Sequence, residues 1–280
     1  MSVTARARAK PSFLQFAHEP RGRPGGAPPL HQQLKNFTPS STVRAHRREL
    51  DHGRGAAIPI VHAEARDAGH VPLDGEALAA AITTLGCHAV RVETPATRRD
   101  VYLRRPVLGR RLELESAERL DKLRCDGFDI AIVVADGLSS RAVTNHALPL
   151  LSLLIPKFAD IGYRLAPVVI AEGARVALGD EIAERLGARL VLVLIGERPG
   201  LSSPDSLGAY LTYAPRPGTT DAERNCVSTI RAGGLDVEAA SSKLAWLVMK
   251  ALAAGMSGVR LKDDSDTGSL PLSALKDSTS

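Results

Sequence analysis

The sequence is poor in aromatic residues and cysteine, and it has no long hydrophobic run. Phe, Trp and Tyr make up 4% of the 280 residues, so few side chains could stack against single-stranded nucleic acid. The three cysteines form neither a C-x-x-C pair nor a zinc-ligand spacing, which favours a reducing, cytoplasmic compartment over a disulfide framework. No stretch approaches the roughly 18 to 20 apolar residues of a membrane span, so we expect no membrane insertion.

The positive charge is concentrated near the N-terminus. The net charge is +5, and the first 50 residues alone hold nine Lys or Arg against two Glu, which is +7. The remaining chain therefore carries −2, and it offers no basic face of the kind that binds nucleic acid. Prolines and glycines crowd the same segment, which predicts a basic, flexible arm over residues 1–59.

Hydrophobic periodicity changes at about residue 60 and divides the remaining chain into three predicted parts. Ala-rich helical spacing predicts a small helical part over residues 60–119, in which some arginines of the dense segment 97–112 should pair with carboxylates. Short apolar runs alternate with helical patterns over residues 120–262. Residues 263–280 form a Ser- and Asp-rich tail that we expect to be flexible.

The alternating part predicts an α/β fold with a Rossmann-like, mostly parallel sheet and helices on both faces. Its candidate strands are Ile130–Val134, Pro167–Ala171, Leu190–Ile195 and Tyr210–Tyr213. Its candidate helices are Ala142–Leu154, Leu178–Leu186 with Gly187 as C-cap, a helix that begins at the capping box Thr220–Glu223, and Val237–Ala254. The loops after the first three strands should meet at the carboxyl edge of the sheet, where ligands bind in such folds.

The residues do not supply a self-contained catalytic set. Gly137-Leu-Ser139-Ser-Arg141 resembles the G-x-S-x-G nucleophile elbow, but Arg141 replaces the last glycine. The last histidine, His146, lies only seven residues beyond Ser139, so the order Ser, acid, His of that fold is not met. A stand-alone α/β serine hydrolase that uses Ser139 is one hypothesis, and a helix N-cap is the simpler interpretation of Ser139. No dinucleotide, P-loop or zinc-protease motif occurs, which favours a subunit that needs a partner.

Several literal stretches resemble the small (light) chain of ethanolamine ammonia-lyase. They are Val133–Ser139, His146–Leu151, Arg175–Asp180, Gly196–Leu207 and Thr220–Cys226. The resemblance covers about residues 60–262, and Gly196-Glu-Arg-Pro-Gly-Leu-Ser-Ser-Pro-Asp-Ser-Leu207 is its most specific run. The sequence departs from the family pattern at Arg98 and Val107, and residues 38–60 scarcely match it.

The resemblance implies the small subunit of an adenosylcobalamin-dependent enzyme that converts ethanolamine to acetaldehyde and ammonia by radical chemistry. It also implies a hetero-oligomer in which a large TIM-barrel subunit and this chain enclose the corrinoid. The implied setting is the cytoplasm or a bacterial microcompartment within it. The cobalamin contacts of the family carry over to Val176, Glu197 and Cys226, and no catalytic residue and no metal ligand is assigned to this chain. Because the sequence has no D-x-H-x-x-G motif, cobalt would keep the cofactor's own dimethylbenzimidazole as its lower ligand.

Each of these three positions also has an ordinary structural explanation. Taken alone, Glu197 would pair with a nearby arginine, because buried carboxylates are usually paired. Cys226 would be a buried thiol in the first turns of the helix that begins near Thr220, and Val176, at the start of a helix, would belong to the core. A non-catalytic assembly or targeting subunit of the same complex is therefore an alternative. The cobalamin hypothesis requires that the three residues gather around one open concavity.

Overall fold

The computed structural model describes residues 71–96, 98–200 and 203–265. Within them a six-stranded sheet forms the centre of the fold. Its strands are β1 (Ala89–Glu93), β2 (Ile130–Ala135), β3 (Val168–Glu172), β4 (Leu190–Gly196), β5 (Leu207–Tyr213) and β6 (Arg224–Ile230). Every residue of β2 and β4 is buried. Continuous apolar strands of this kind are typical of a sheet that helices cover on both faces.

The sheet has a parallel part and an antiparallel part. The strand order is β1-β3-β2-β4-β5-β6, and β1 to β4 run parallel to one another. The last two strands pair antiparallel, β5 with β4 and β6 with β5. The predicted α/β fold with a mostly parallel sheet is therefore confirmed, with an antiparallel extension at one edge.

Helices cover the sheet on both faces. They are α1 (Gly75–Thr84), α2 (Arg99–Arg104), α3 (Leu114–Asp121), α4 (Ser140–Ile161), α5 (Leu178–Leu186) and α6 (Val237–Ala254). One hydrophobic cluster joins α1, α4 and α6 to one face of the sheet, and a second joins α3 and α5 to the other. Neighbouring residues of one strand, such as Ile132 and Val133, belong to different clusters because side chains alternate between the faces.

The crossover helices α4 and α5 determine where a crevice opens. Helix α4 connects β2 to β3 on one face, and α5 connects β3 to β4 on the other. Because β2 and β3 are neighbours, the loops that leave their carboxyl ends diverge toward opposite faces. This topological switch point is the usual place of a ligand in an open α/β sheet.

Much of the predicted secondary structure is confirmed. Helices α5 and α6 have the predicted bounds, and Gly187 ends α5 with a φ of +77°, as a C-cap glycine does. The Ser139 hydroxyl caps α4 by accepting a hydrogen bond from the backbone N–H of Ala142 at 3.3 Å. The segment before β2 holds the expected short helices and also β1, a strand that helical periodicity did not predict.

The helix predicted from the capping box at Thr220 is wrong. Thr220 and Glu223 do make the reciprocal contacts, and the Thr220 N–H donates to Glu223 Oε2 at 2.8 Å. The turn nevertheless ends at Glu223, and the chain enters β6, which pairs with β5. Cross-strand pairing of β-branched residues outweighs a local helix-start signal here. Cys226 therefore lies on a strand and not in the first turns of a helix.

Some sequence predictions lie outside the described residues or remain predictions. The basic arm, residues 1–59, and the tail from residue 266 onward are not described. The divisions at residues 60, 120 and 263 remain predictions. In the part of the chain that the structure describes, no helix is both long enough and apolar enough to cross a membrane.

Candidate functional site

Loops from three neighbouring parallel strands meet at the carboxyl edge of the sheet. They follow β2, β3 and β4 and begin at Asp136, Gly173 and Glu197. A cavity of about 470 Å³ opens among them. Its lining includes Gly137, Arg175, Val176, Glu197, Arg198 and Tyr210. The molecule thus has a concavity where the α/β topology predicts a ligand.

Two glycines allow the loops that form this cavity to touch. A Cβ atom on Gly196 would overlap the carbonyl oxygen of Ser139, and one on Gly137 would overlap the carbonyl oxygen of Gly196. Gly137 also has a φ of +56°, a conformation that glycine adopts at little cost. Backbone atoms therefore line the cavity next to the end of β4.

Glu197 is held in place by Ser206, the residue before β5, and by β6. The hydroxyl of Ser206 donates a hydrogen bond to Glu197 Oε2, and the backbone N–H of Thr229 donates to the same oxygen at 3.2 Å. None of the described Lys or Arg residues forms a salt bridge with Glu197, so the interpretation as an ion-pair partner is wrong. Among the described residues Oε1 receives no hydrogen bond, which leaves it free to accept one from a ligand.

A β-bulge directs the Thr229 N–H toward Glu197. Two residues of β6, Ser228 and Thr229, lie opposite the single residue Gly208 of β5. Thr229 has a φ of +60°, which is unusual for a β-branched residue. Bulges often occur beside functional sites, where they change the direction of a group on a strand. Here the bulge supplies one of the two donors that orient the carboxylate.

Cys226 reaches the cavity through Tyr210. The two residues are register partners on β6 and β5, so their side chains lie next to each other on the same face of the sheet. Partial burial raises the pKa of the Cys226 thiol, as does the charge of Glu197, while the neighbouring Tyr210 hydroxyl acts in the opposite direction. Cys226 is exposed on β6, so the interpretation of Cys226 as an ordinary buried thiol is wrong.

Val176 lies in the loop between β3 and α5. The helix begins at Leu178, so the prediction that Val176 starts it is wrong by two residues. The Val176 carbonyl accepts a hydrogen bond from Gly179 N at 3.0 Å, and the loop closes as a turn before the helix. Its side chain packs at the margin of the same hydrophobic cluster as Tyr210.

The structure therefore brings the three predicted residues to one place. Val176 and Glu197 line the same cavity, and Cys226 adjoins it through its contact with Tyr210. Two of the three residues thus line one concavity, and Cys226 lies next to a lining residue without lining the cavity itself. Their role as cobalamin contacts remains a prediction.

The sequence analysis missed Tyr102, which forms part of the cavity wall. Its hydroxyl donates to the carbonyl of Ala174 at 3.0 Å. The guanidinium carbons of Arg99 and Arg175 lie 4.9 Å and 4.2 Å from the centre of its ring. Burial raises the pKa of Tyr102 to about 12, so the phenol stays neutral and donates at physiological pH. Tyr102 falls in the arginine-dense segment, but no motif distinguishes it there.

A buried aspartate links the loops after β2 and β3. Asp136 Oδ2 pairs with Arg99 Nη1 at 3.3 Å, and Oδ1 accepts the backbone N–H of Ala174 at 3.3 Å. Burial raises the pKa of Asp136, and the Arg99 guanidinium and neighbouring backbone N–H groups oppose that rise. The expectation that an arginine of segment 97–112 pairs with a carboxylate is confirmed by this contact.

A second buried ion pair connects α5 to β6. Arg224 donates from Nη1 to Asp180 Oδ1 at 2.7 Å and from Nη2 to Oδ2 at 2.6 Å. The two side chains are 2% and 1% exposed. Arg224 Nη1 also donates to the hydroxyl of Thr212 at 2.9 Å. The pair therefore holds β6, and with it Cys226, in a defined position relative to the first turn of α5.

The serine hydrolase hypothesis is wrong. Ser139 is 0% exposed, and its hydroxyl donates to the carbonyl of Pro204 at 3.0 Å. His146 is paired with Asp205 through Nε2 at 3.2 Å. A nucleophile must reach substrate and a base, and a fully buried capping serine cannot do so. Among the described residues no group of three or more His, Cys, Asp or Glu is placed to hold a metal ion.

Comparisons with known proteins point to one family. The family model described as ethanolamine ammonia-lyase light chain matches residues 30–262. The chain is 51% identical over 249 residues to the ethanolamine ammonia-lyase small subunit of Rhodopseudomonas palustris (strain BisA53), which covers 85% of this chain and 92% of that protein. It is 46% identical over 243 residues to the same subunit of Azotobacter vinelandii (strain DJ / ATCC BAA-1303), and this match covers 85% of this chain and 90% of that protein. It is 49% identical over 236 residues to the same subunit of Ralstonia nicotianae (strain ATCC BAA-1114 / GMI1000), and this match covers 83% of this chain and 87% of that protein.

Proposed function

Because the chain belongs to the ethanolamine ammonia-lyase light chain family, we propose that it is the small subunit of an adenosylcobalamin-dependent ethanolamine ammonia-lyase. In this proposal a large TIM-barrel subunit completes the enzyme, which converts ethanolamine to acetaldehyde and ammonia in the cytoplasm or in a microcompartment within it. The small subunit has no catalytic residue of its own. It binds the cofactor and depends on the large subunit for activity.

The observation that carries this proposal is the cavity at the carboxyl edge of the sheet. Cavities for drug-sized molecules span roughly 300–1,000 Å³, and cobalamin is several times larger than such a molecule. A cavity of about 470 Å³ can therefore hold only one side of the corrinoid. The small subunit supplies this half of the chamber, and the large subunit supplies the other.

The residues of the cavity suit the chemistry of a corrinoid. The rim of the macrocycle carries neutral amide groups, and Glu197 Oε1 can accept a hydrogen bond from one of them. Tyr210, Cys226 and Val176 offer apolar and weakly polar surface, and the glycine backbone at Gly137 and Gly196 allows close approach. None of the described residues that line the cavity is a histidine.

The chain's contribution to the reaction is positioning and protection. Adenosylcobalamin, when bound, would supply the radical that starts the conversion of the substrate. Glu197 would orient the corrinoid through the carboxylate that Ser206 and Thr229 hold in place. The Tyr210 and Cys226 side chains would exclude water from its face. The groups that contact ethanolamine belong to the large subunit.

The test is cobalamin retention by the complex of this chain with its large subunit. We expect Glu197→Ala to raise the dissociation constant for cyanocobalamin about tenfold to a hundredfold, because a hydrogen bond to a charged acceptor is lost. Glu197→Gln, which keeps one acceptor oxygen, should have a smaller effect. Subunit assembly, measured by size-exclusion chromatography, should not change.

Glu184→Ala is the matched control, because Glu184 is an exposed glutamate on α5 away from this cavity. It should leave both retention and assembly as in the wild type. Equal retention by the Glu197→Ala and wild-type complexes would contradict the assignment. It would favour the alternative of a non-catalytic assembly or targeting subunit.

A further inference from the structure

Arg175 lies at the cavity with its guanidinium group already oriented. It is the residue between Ala174 and Val176, in the loop after β3. Its guanidinium carbon lies 4.2 Å from the centre of the Tyr102 ring, and Nη2 donates to the Tyr102 carbonyl at 3.4 Å. The stacked ring limits the rotamers that this long side chain can adopt, so its charge stays near the cavity.

The charge of Arg175 has no carboxylate partner among the described residues. Arg99, which stacks on the same ring, is paired with Asp136 at 3.3 Å, but Arg175 makes no salt bridge. Its Nε is buried, and no described residue accepts a hydrogen bond from it. A guanidinium group has five N–H donors, and a partly buried one is normally compensated by an anion. Within residues 71–96, 98–200 and 203–265, only a ring face and one carbonyl compensate it.

The cavity does not supply that anion from its own residues. Glu197 is the carboxylate in the lining, and its Oε2 is already occupied by Ser206 and Thr229. Arg198 lines the same cavity and adds a second positive charge. The Glu197 carboxylate and the Arg175 guanidinium group do not pair with each other. A ligand could therefore donate a hydrogen bond to Glu197 and accept one from Arg175.

We propose that Arg175 binds the phosphodiester of the corrinoid's nucleotide loop. This inference rests on the proposed cobalamin function. The peripheral side chains of cobalamin are neutral amides, and the phosphodiester is its peripheral anion. The planar fork of a guanidinium group fits two phosphate oxygens, and such charge-assisted hydrogen bonds are among the stronger ones in proteins. Tyr102 acts as a positioning residue, because it touches Arg175 and holds its guanidinium group.

The test compares two corrinoids on the complex of this chain with its large subunit. Cyanocobalamin carries the phosphodiester, and dicyanocobinamide lacks the phosphodiester and the terminal base. We expect Arg175→Met to raise the dissociation constant for cyanocobalamin about tenfold to a hundredfold. The dissociation constant for dicyanocobinamide should stay as in the wild type. Arg175→Lys, which keeps the charge but not the fork, should recover part of the loss. Both constants are measured by equilibrium dialysis with absorbance detection.

Arg164→Met is the matched control. Arg164 also stacks on an aromatic ring, 6.0 Å from the centre of Phe128, but it lies near the amino ends of the parallel strands. It should change neither constant. Unchanged dicyanocobinamide binding also shows that the Arg175 variant is folded and assembled.

Two other outcomes have distinct meanings. If Arg175→Met weakens both corrinoids equally, or neither, Arg175 merely supports Tyr102 and the phosphodiester assignment is wrong. If the wild-type complex binds neither corrinoid, the cobalamin function itself fails, and the phosphodiester assignment that rests on it fails too.

Discussion

The parallel and antiparallel parts of the sheet differ in how they are covered. In β2 and β4 every residue is buried, because helices pack on both faces. In β6 only Arg224, Val227 and Ile230 are buried, while Cys226, Ser228 and Thr229 are exposed. The antiparallel part is thus accessible mainly along its edge strand β6, because five of the seven residues of β5 are buried.

This difference indicates a division of labour within one fold. The doubly covered strands act as a rigid base from which three loops project. Strands β5 and β6 place the half-buried Tyr210 and the exposed Cys226 beside those loops. A ligand at the carboxyl edge can then touch loops and sheet face at once, and a second polypeptide can still approach. Three variants test this division of labour.

Asp180→Ala breaks the link between the two parts and should have the largest effect on stability. It leaves the buried guanidinium group of Arg224 without its carboxylate. We expect the free energy of unfolding to fall by about 3–5 kcal/mol. The measurement is equilibrium urea unfolding of the chain, followed by the fluorescence of Trp246, the single tryptophan.

Two further variants control this prediction. Replacing both partners, Asp180→Leu with Arg224→Leu, should cost less than Asp180→Ala alone, because no buried charge is left unpaired. Arg91→Ala removes the exposed pair between β1 and β3, whose side chains are 45% and 38% exposed. It should change the free energy of unfolding by about 0–1 kcal/mol. An Asp180→Ala effect within that range would refute the idea that the ion pair fastens β6 to α5.

Gly196→Ala tests the rigid part and should have an intermediate effect. The new methyl group would overlap backbone oxygens of the loop after β2, so the loops must separate. We expect a loss of about 1–3 kcal/mol in the free energy of unfolding, together with weaker cobalamin retention. Gly200→Ala is the control. The Cβ atom added at Gly200 would lie 3.1 Å from the hydroxyl of Ser203, a side chain that can move away. If both variants behave alike, close contact of the loops is not what shapes the cavity.

Tyr210→Phe tests the antiparallel part and should have the smallest effect. Partial burial raises the pKa of the Cys226 thiol, as does the charge of Glu197, and the neighbouring Tyr210 hydroxyl opposes that rise. Removing the hydroxyl should raise that pKa further and reduce the thiolate fraction at pH 8. Alkylation of Cys226 by iodoacetamide should then slow about twofold to tenfold, the equivalent of one ordinary hydrogen bond. Site-resolved mass spectrometry measures the alkylation rate of each cysteine, with Cys125 as the internal reference. An unchanged Cys226 rate would show that the Tyr210 hydroxyl does not act on the thiol.

The sequence predicted those elements whose local signals agree with their final packing. The stripe of Leu178, Ile182 and Leu186 followed by Gly187 marks both the face and the end of α5. The uninterrupted apolar run of β4 marks a central strand. At Thr220 the local signal and the packing disagree, because a real capping box is followed by a segment that gains more from pairing with β5.

The site was predictable only in part. Val176, Glu197 and Cys226 were carried over from the family resemblance, and the structure brings them together. No pattern in the sequence indicates that Arg175 stacks on Tyr102, because 73 positions separate them and a guanidinium group can pair with many partners. Long-range contacts of this kind depend on the topology of the sheet, which single-sequence patterns do not encode.

Because of the bulge at Ser228 and Thr229, the orientation of the Glu197 carboxylate depends on the number of residues in β6. The donor that meets the carboxylate is a backbone N–H, which every residue except proline provides. Side-chain changes at these two positions would therefore leave the donor in place. Deleting either residue would bring β6 into plain register with β5 and carry the N–H away from the carboxylate. In this chain the number of residues between Cys226 and Ile230, and not their side chains, thus sets the direction of the Thr229 N–H.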